Sequence, residues 1–209
     1  MRSIPVVFQD EWLYIVNKPS GLLTIPDPVR RSPSLIDILN ETLKANNTPW
    51  RVHPCHRLDR DTSGLLILAK GKSIQKKVMD EFKSRRVSKL YTAFVQGRLP
   101  LNKGQVKNPI EGQFACTEYR VISRHRDFTV VEARPLTGRR NQIRIHFKQL
   151  GHPIVGEDKF AFRRDFTLRF KRLCLHASQL EFTHPETNER LALKSELPAD
   201  LMDFMKGHP

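Results

Sequence analysis

The chain has 209 residues and a formal net charge of +14, from 36 lysines and arginines against 22 aspartates and glutamates. That length supports one sizeable core, and the charge points to a polyanionic partner rather than to a neutral or acidic small molecule. No apolar run approaches a membrane span, residues 1–10 lack a signal-peptide pattern, and three widely spaced cysteines without C-x-x-C suggest neither disulfides nor a zinc knuckle. The expectation is a soluble, cytoplasmic monomer.

Residues 6–8 and 12–16 are short apolar stretches around Gln9, Asp10 and Glu11, a hairpin-like start. They lead into N-K-P-S-G at 17–21, where Pro19 and Gly21 fix a loop. Ser32 followed by Pro33 predicts a helix N-terminus, with Leu35, Ile36, Leu39 and Leu43 as its apolar stripe. Asn46, Asn47 and Pro49 close it.

Residues 56–70 read H-R-L-D-R-D-T-S-G-L-L-I-L-A-K. The second half is too short for most helices and suits a strand buried on both faces, so the polar first half is a loop anchored in the core. An aspartate between Arg57 and Arg60 can stay ionised when partly desolvated, because nearby positive charge favours the carboxylate. Asp59 is therefore a candidate nucleophile or base, although Asp59 and Asp61 could equally cap a turn and pair with surface arginines. His53, Cys55 and His56 lie close together, but no second cluster completes a four-ligand site, and no metal is expected.

Ser73 reads as the cap of a second helix, with Ile74, Val78, Met79 and Phe82 on one face and Lys76, Lys77, Lys83, Arg85 and Arg86 mostly off it. A solvated basic face and an RNA-contacting one both fit that pattern. Residues 90–95 predict a strand carrying Tyr91, and 115–123 with 128–133 an antiparallel pair. From Gly138 a helix is predicted through Ile143, Phe147 and Leu150 to a stop at Gly151, with Arg140 and Arg144 on one face. Phe162, Phe166 and Phe170 form a further stripe whose spacing favours core packing, leaving the interleaved Arg163 and Arg164 to meet phosphate. Residues 173–182 and 191–193 predict a last hairpin, and 201–205 a short terminal helix.

The H-R-L-D-R-D-T-S-G segment resembles the catalytic motif of the RluA-type pseudouridine synthases. Four further segments resemble that family's motifs in the family's order: N-K-P-S-G-L-L-T at 17–24, K-L-Y-T-A-F-V-Q-G at 89–97, L-T-G-R-R-N-Q-I-R-I-H-F at 136–147 and R-L-C-L-H-A at 172–177. The resemblance implies a single catalytic domain over residues 1–209 with an α+β fold: a mixed, largely antiparallel central sheet and flanking helices. It implies isomerisation of uridine to pseudouridine in structured RNA, transfer or ribosomal, without cofactor or metal. Carried over residue by residue, it makes Asp59 the catalytic carboxylate, Arg57 the side chain that fills the space the flipped base vacates, and Tyr91 the ring that stacks on that base. Arg144 becomes the partner of the aspartate, and Leu175 an apolar wall of the base pocket. Lys76, Lys77, Arg85, Arg86, Arg163 and Arg164 are the candidate phosphate contacts.

Two departures bear on the site. The family usually has histidine where Asn141 stands, and after Gly156 it continues with aspartate and soon a tyrosine, whereas this chain has Glu157, Asp158, Lys159 and Phe160. Many relatives carry an N-terminal RNA-binding domain of the S4 type, for which there is no room before residue 17, so substrate choice is expected to come from the catalytic domain. Two other functions compete. A non-catalytic RNA-binding module would share the charge but has no use for Asp59 between arginines. A glycoside hydrolase needs two carboxylates about 5–9.5 Å apart, which Asp59 and Asp61 could supply, but a charge of +14 does not suit a neutral sugar.

Overall fold

The chain enters through a hairpin in which β1 (Val6–Gln9) and β2 (Leu13–Lys18) pair antiparallel. The Asp10 carboxylate closes the turn by accepting the Trp12 and Leu13 amides at 2.8 and 2.6 Å. The structure, a computed structural model, describes residues 4–27, 32–161 and 168–208.

Helix α1 (Leu35–Ala45) begins two residues later than the sequence suggested. Its N-cap is Ser34, not Ser32: the Ser34 hydroxyl accepts the Asp37 amide while the Asp37 carboxylate takes the Ser34 amide, a reciprocal pair that fixes the start. Strand β3 (Val52–Pro54), which the sequence did not reveal, pairs antiparallel with β4 (Ser63–Lys70). As expected for a strand covered on both faces, β4 is buried from Ser63 to Ala69, and it pairs with β2 from Leu13↔Ala69 to Lys18↔Gly64. Helix α2 (Lys72–Lys83) starts behind Gly71 with no side-chain cap, so Ser73 lies inside the helix. Ile74 and Val78 are buried as the stripe requires, but Met79 is 38% exposed and belongs to the helix's outer side.

Next come β5 (Ser88–Gln96), β6 (Lys103–Val106), β7 (Thr117–Arg124) and β8 (Phe128–Pro135), hydrogen-bonded antiparallel in the order β5-β8-β7-β6. One cross-strand row runs Tyr91↔Ala133↔Tyr119↔Gly104. Strand β6 also escaped sequence reading, because K-G-Q-V has one apolar residue and no alternation to detect. Helix α3 (Gln142–Gln149) lays Phe147 against Tyr119, ring centroids 5.7 Å apart. It begins at Asn141, so Arg140 precedes the helix and does not share a helical face with Arg144.

The last hairpin is β9 (Leu175–Thr183) with β10 (Arg190–Lys194), antiparallel, and α4 (Ala199–Lys206) follows. Phe204 of α4 packs on Phe94, Phe128 and Phe170. Phe170 is in non-helical chain, while Phe162 and Phe166 of its predicted stripe lie outside the described residues.

The chain divides into two compact units. The first holds the chain up to Ser88 and Gln179–Ser195; its core joins Leu13, Ile15, Leu65, Ile67 and Val78 to Leu180 and Phe182. Each such side chain contributes about 1.5–3 kcal/mol on burial. The second holds Lys89–Ser178 and the chain from Glu196 onward. Ten strands and four helices among the described residues make the fold α+β, with antiparallel pairing wherever register is given.

Candidate active site

In the first unit, residues 18–24 clamp residues 58–61, chiefly by side chains that bond the loop's main-chain groups. The Gly21 amide donates to Arg60 O at 2.9 Å, Arg60 Nε donates back to Gly21 O, and the Ser20 hydroxyl donates to Asp61 O at 2.7 Å. Gly21 has φ +83°, a left-handed conformation that glycine adopts without strain. Thr24 holds both backbone groups of Leu58: its Oγ1 donates to Leu58 O at 2.9 Å and accepts the Leu58 amide at 3.2 Å. Lys18, fully buried at the end of β2, sends Nζ to Pro19 O, Leu22 O and Arg60 O at 3.0, 2.7 and 3.0 Å. These carbonyl dipoles solvate an ammonium that burial would otherwise disfavour.

The clamp sets what each loop residue faces. Leu58 is buried, Asp59 half-buried and Arg57 exposed, and Asp59 O accepts the Thr62 amide at 3.2 Å to close the turn. His56 Nε2 accepts the Ile67 amide at 3.0 Å and its ring stacks near Phe82, which gives it a structural task. Cys55 is buried, and desolvation pushes its thiol up to about 12. Thr62 Oγ1 is buried and, among the described residues, without a hydrogen-bond partner.

The second unit carries the other candidates. Tyr91 is buried on β5, and Leu175 is the buried first residue of β9. Arg144, on α3, is only 4% exposed. Its Nε and Nη2 meet the Glu157 carboxylate at 2.7 and 2.6 Å, a two-pronged ion pair, and Nη1 donates to Asn141 Oδ1 at 3.2 Å. Asp158 stands 3.6 Å from Nη2, and the Phe160 ring lies 5.1 Å from the guanidinium carbon. Glu157 also accepts the Lys159 and Phe160 amides at 2.9 and 3.2 Å. Burial pushes its carboxyl up, but the hydrogen bonds and charge of Arg144, aided by those amides, outweigh burial and hold it below the usual carboxylate value.

Local sequence explains this geometry. Gly156 has φ +79°, and a side chain there would run into the Arg172 carbonyl, so only glycine lets the chain turn Glu157 inward at that point. Asn141 sits at φ +54°, a left-handed position that asparagine tolerates better than most residues. The departure from histidine thus supplies both the helix entry and a ligand for Arg144. Gln142 and His146 anchor α3: Gln142 bridges Thr137, Thr117 and the Cys116 carbonyl, and His146 bonds Thr117 and the Asn108 carbonyl. Desolvation lowers the His146 pKa, so the ring is neutral at neutral pH.

Of the candidate phosphate contacts, Lys76, Lys77, Arg85 and Arg86 are exposed. Lys77 pairs with Glu186 at 2.7 Å and Arg86 with Glu81, which tempers the basic face of α2. Arg163 and Arg164 lie outside the described residues. Sequence reasoning missed Lys18, Thr24 and Glu157. Lys18 and Thr24 carried a signal, a charged and a hydroxyl residue flanking a Pro-Gly loop; Glu157 carried little beyond its place after Gly156.

Residues 12–149 match the family model described as RNA pseudouridylate synthase. The chain is 37% identical over 205 residues to the dual-specificity RNA pseudouridine synthase RluA of Vibrio cholerae, covering 88% of this chain and 79% of that one. Against the protein of the same description from Haemophilus influenzae it is 34% identical, covering 92% and 93%. Among solved structures, human RNA pseudouridylate synthase domain containing 4 superposes with a TM-score of 0.80 at 26% identity, covering 97% of this chain and 92% of that one. The mixed, largely antiparallel fold is therefore that of the pseudouridine synthases, and the chain belongs to the RluA-type family of RNA pseudouridine synthases, isomerases that act on RNA.

Proposed function

We propose that Asp59 is the catalytic carboxylate and that the substrate is a uridine in structured RNA, transfer or ribosomal; relatives described as dual-specificity RNA pseudouridine synthases support RNA as the substrate class, and one described as a ribosomal large subunit pseudouridine synthase supports ribosomal RNA within it. The observation that carries the reading is the main-chain clamp on residues 58–61, which fixes Asp59 half-buried beside an exposed Arg57. In this reaction the bond from ribose C1′ to N1 breaks, the uracil turns, C5 bonds to C1′, the C5 proton leaves and N1 gains a proton. No atoms enter from outside. Asp59 acts either as nucleophile on the sugar or as base at C2′.

The target must leave its stack, at a cost of a few kcal/mol. Arg57 fills the vacated space, and Tyr91 stacks on the displaced uracil, a contact worth about 1–3 kcal/mol. Leu175 supplies apolar surface to the same base. Arg144 supplies the positive charge that keeps Asp59 ionised, and Glu157 with Asn141 positions it. Residues 1–209 act as one catalytic domain.

Purified protein incubated with transfer and ribosomal RNA transcripts is expected to form pseudouridine, and Asp59→Ala to form none while RNA affinity changes by less than about tenfold, since phosphate contacts supply most of the binding. Residual turnover above a few percent overturns the assignment of Asp59. Mapping pseudouridines in total RNA with and without the gene identifies the target.

A further inference from the structure

Within the second unit, a groove of about 610 Å³ lies along β6 and β7, away from every residue assigned above. Its lining includes Arg98, Lys103, Arg120 and Arg124 and no carboxylate. Arg98 and Lys103 are exposed and, among the described residues, have no carboxylate partner. Arg120 shares its charge with Glu132, and Arg124 spends one donor, Nε, on the Leu99 carbonyl at 2.9 Å. Between these two arginines β7 bulges: Val121 pairs with Val131 and Ser123 with Val130, so Ile122 is the extra residue, and it is 49% exposed in the groove.

Register places the groove relative to Tyr91. Tyr91, Ala133 and Tyr119 are successive cross-strand partners on one face, so Arg120, the next residue of β7, points to the other. Two strand spacings, about 10 Å, separate β5 from β7. Gly104 lets β6 run close to Tyr119, since a side chain there would strike the ring, and this brings Lys103 into the row of Arg120. A single uracil at Tyr91 cannot also touch these cations. Only a polymer extending past the edge strand β6 can reach both.

We propose that this groove holds the phosphate backbone of the substrate RNA at a point remote from the target nucleotide, with Arg98, Lys103 and Arg124 on phosphates and Ile122 against a sugar or base. The proposal rests on RNA being the substrate. It accounts for a cation row with no carboxylate in its lining, and it makes affinity depend on the size of the RNA.

The test compares two probes, unfractionated transfer RNA and a short oligouridylate, on wild type and on Arg98→Ala/Lys103→Ala. Both sites are exposed, so the thermal midpoint serves as a check on folding. The double variant is expected to lose about tenfold in transfer RNA affinity at low salt and to flatten the log affinity against log salt slope by about 1.5–2, while oligouridylate affinity changes less than twofold. Unchanged transfer RNA affinity and slope overturn the proposal, as does an equal loss for both probes. A wild type that binds polyglutamate as tightly as transfer RNA, with only polyglutamate lost in the variant, assigns the groove to an acidic protein segment instead. Pseudouridine formation by wild type is scored separately, so failure of the groove and failure of the catalytic reading give different results.

Discussion

The loop carrying Asp59 is held by its own backbone groups, which the side chains of residues 18–24 grip, whereas Arg144 is held by a carboxylate, Glu157, buried beside it in the second unit. In the first case the charged side chains of the clamp, Lys18 and Arg60, donate to carbonyl oxygens, which do not titrate. In the second, position and ionisation are the same interaction: protonating Glu157 removes the charge and makes one of the two oxygens that Arg144 bonds a hydroxyl. A main-chain clamp fixes geometry whatever the pH. An ion pair ties geometry to the protonation state of its acid.

The sharpest way to break this contrast is Arg144→Met, which leaves Glu157 buried without its counter-charge. We expect a loss of about 3–5 kcal/mol in stability and, from misplacement at the site, at least about a hundredfold in turnover. Denaturant unfolding and single-turnover kinetics read the two effects. If turnover is unaffected, Arg144 has no part in the reaction, and Arg139 or Arg140 becomes the residue to test.

Lys18→Met comes next. It strips the Pro19 and Leu22 carbonyls of a donor, while Arg60 O keeps the Gly21 amide. The expected cost is about 2–4 kcal/mol, with turnover falling because the loop loosens. A variant as stable and active as wild type would show that the glycine, serine and threonine bonds suffice.

The pH dependence separates the two devices directly. The Glu157 carboxyl is held below its ordinary value, so its contribution is complete above the ordinary carboxylate pKa and is lost as pH falls through the folded value. The thermal midpoint of wild type should therefore drop faster below about pH 4.5 than that of Glu157→Gln, whose midpoint starts lower. Parallel profiles for the two proteins would remove Glu157 as the titrating partner.

The smallest effects come from two threonines of the first unit. Thr24→Val breaks both bonds to Leu58 and should cost about 1–2 kcal/mol, whereas Thr62→Val removes a buried hydroxyl with no partner among the described residues and should be neutral or stabilising by up to about 1 kcal/mol. Equal losses at the two sites would mean that the clamp bonds contribute nothing beyond packing.

Much of this was legible in the sequence, for reasons that differ by element. Strand β4 announced itself because burial on both faces demands an unbroken apolar run, and the loop before it because eight residues hold two arginines and two aspartates. Tyr91, Arg144 and Leu175 could be named as site candidates only through family motifs, since no periodicity marks a residue for contact with a substrate. The start of α3 was misjudged because a left-handed Asn141 interrupts the helix and excludes Arg140. Ser32 was chosen as a cap because proline at the first helical position is common, but the Ser34–Asp37 reciprocal bonds outcompeted it. Glu157 stayed hidden because an ion pair between a helix and a turn has no spacing rule, and β6 because an edge strand needs no apolar alternation.

The division of the chain bears on how the molecule is made. Leu180 and Phe182, which complete the first unit's core, follow the whole of Lys89–Ser178, and α4 of the second unit follows them in turn. At about 5–20 residues per second, a ribosome spends on the order of ten seconds between Ser88 and the residues that seal that core. During that interval Leu65 and Ile67 of β4 lack two of their apolar neighbours. The nascent chain therefore carries a half-finished core longest where its strands are most apolar, and depletion of the chaperones that bind emerging chains should lower the yield of active enzyme more than it slows refolding of the completed protein.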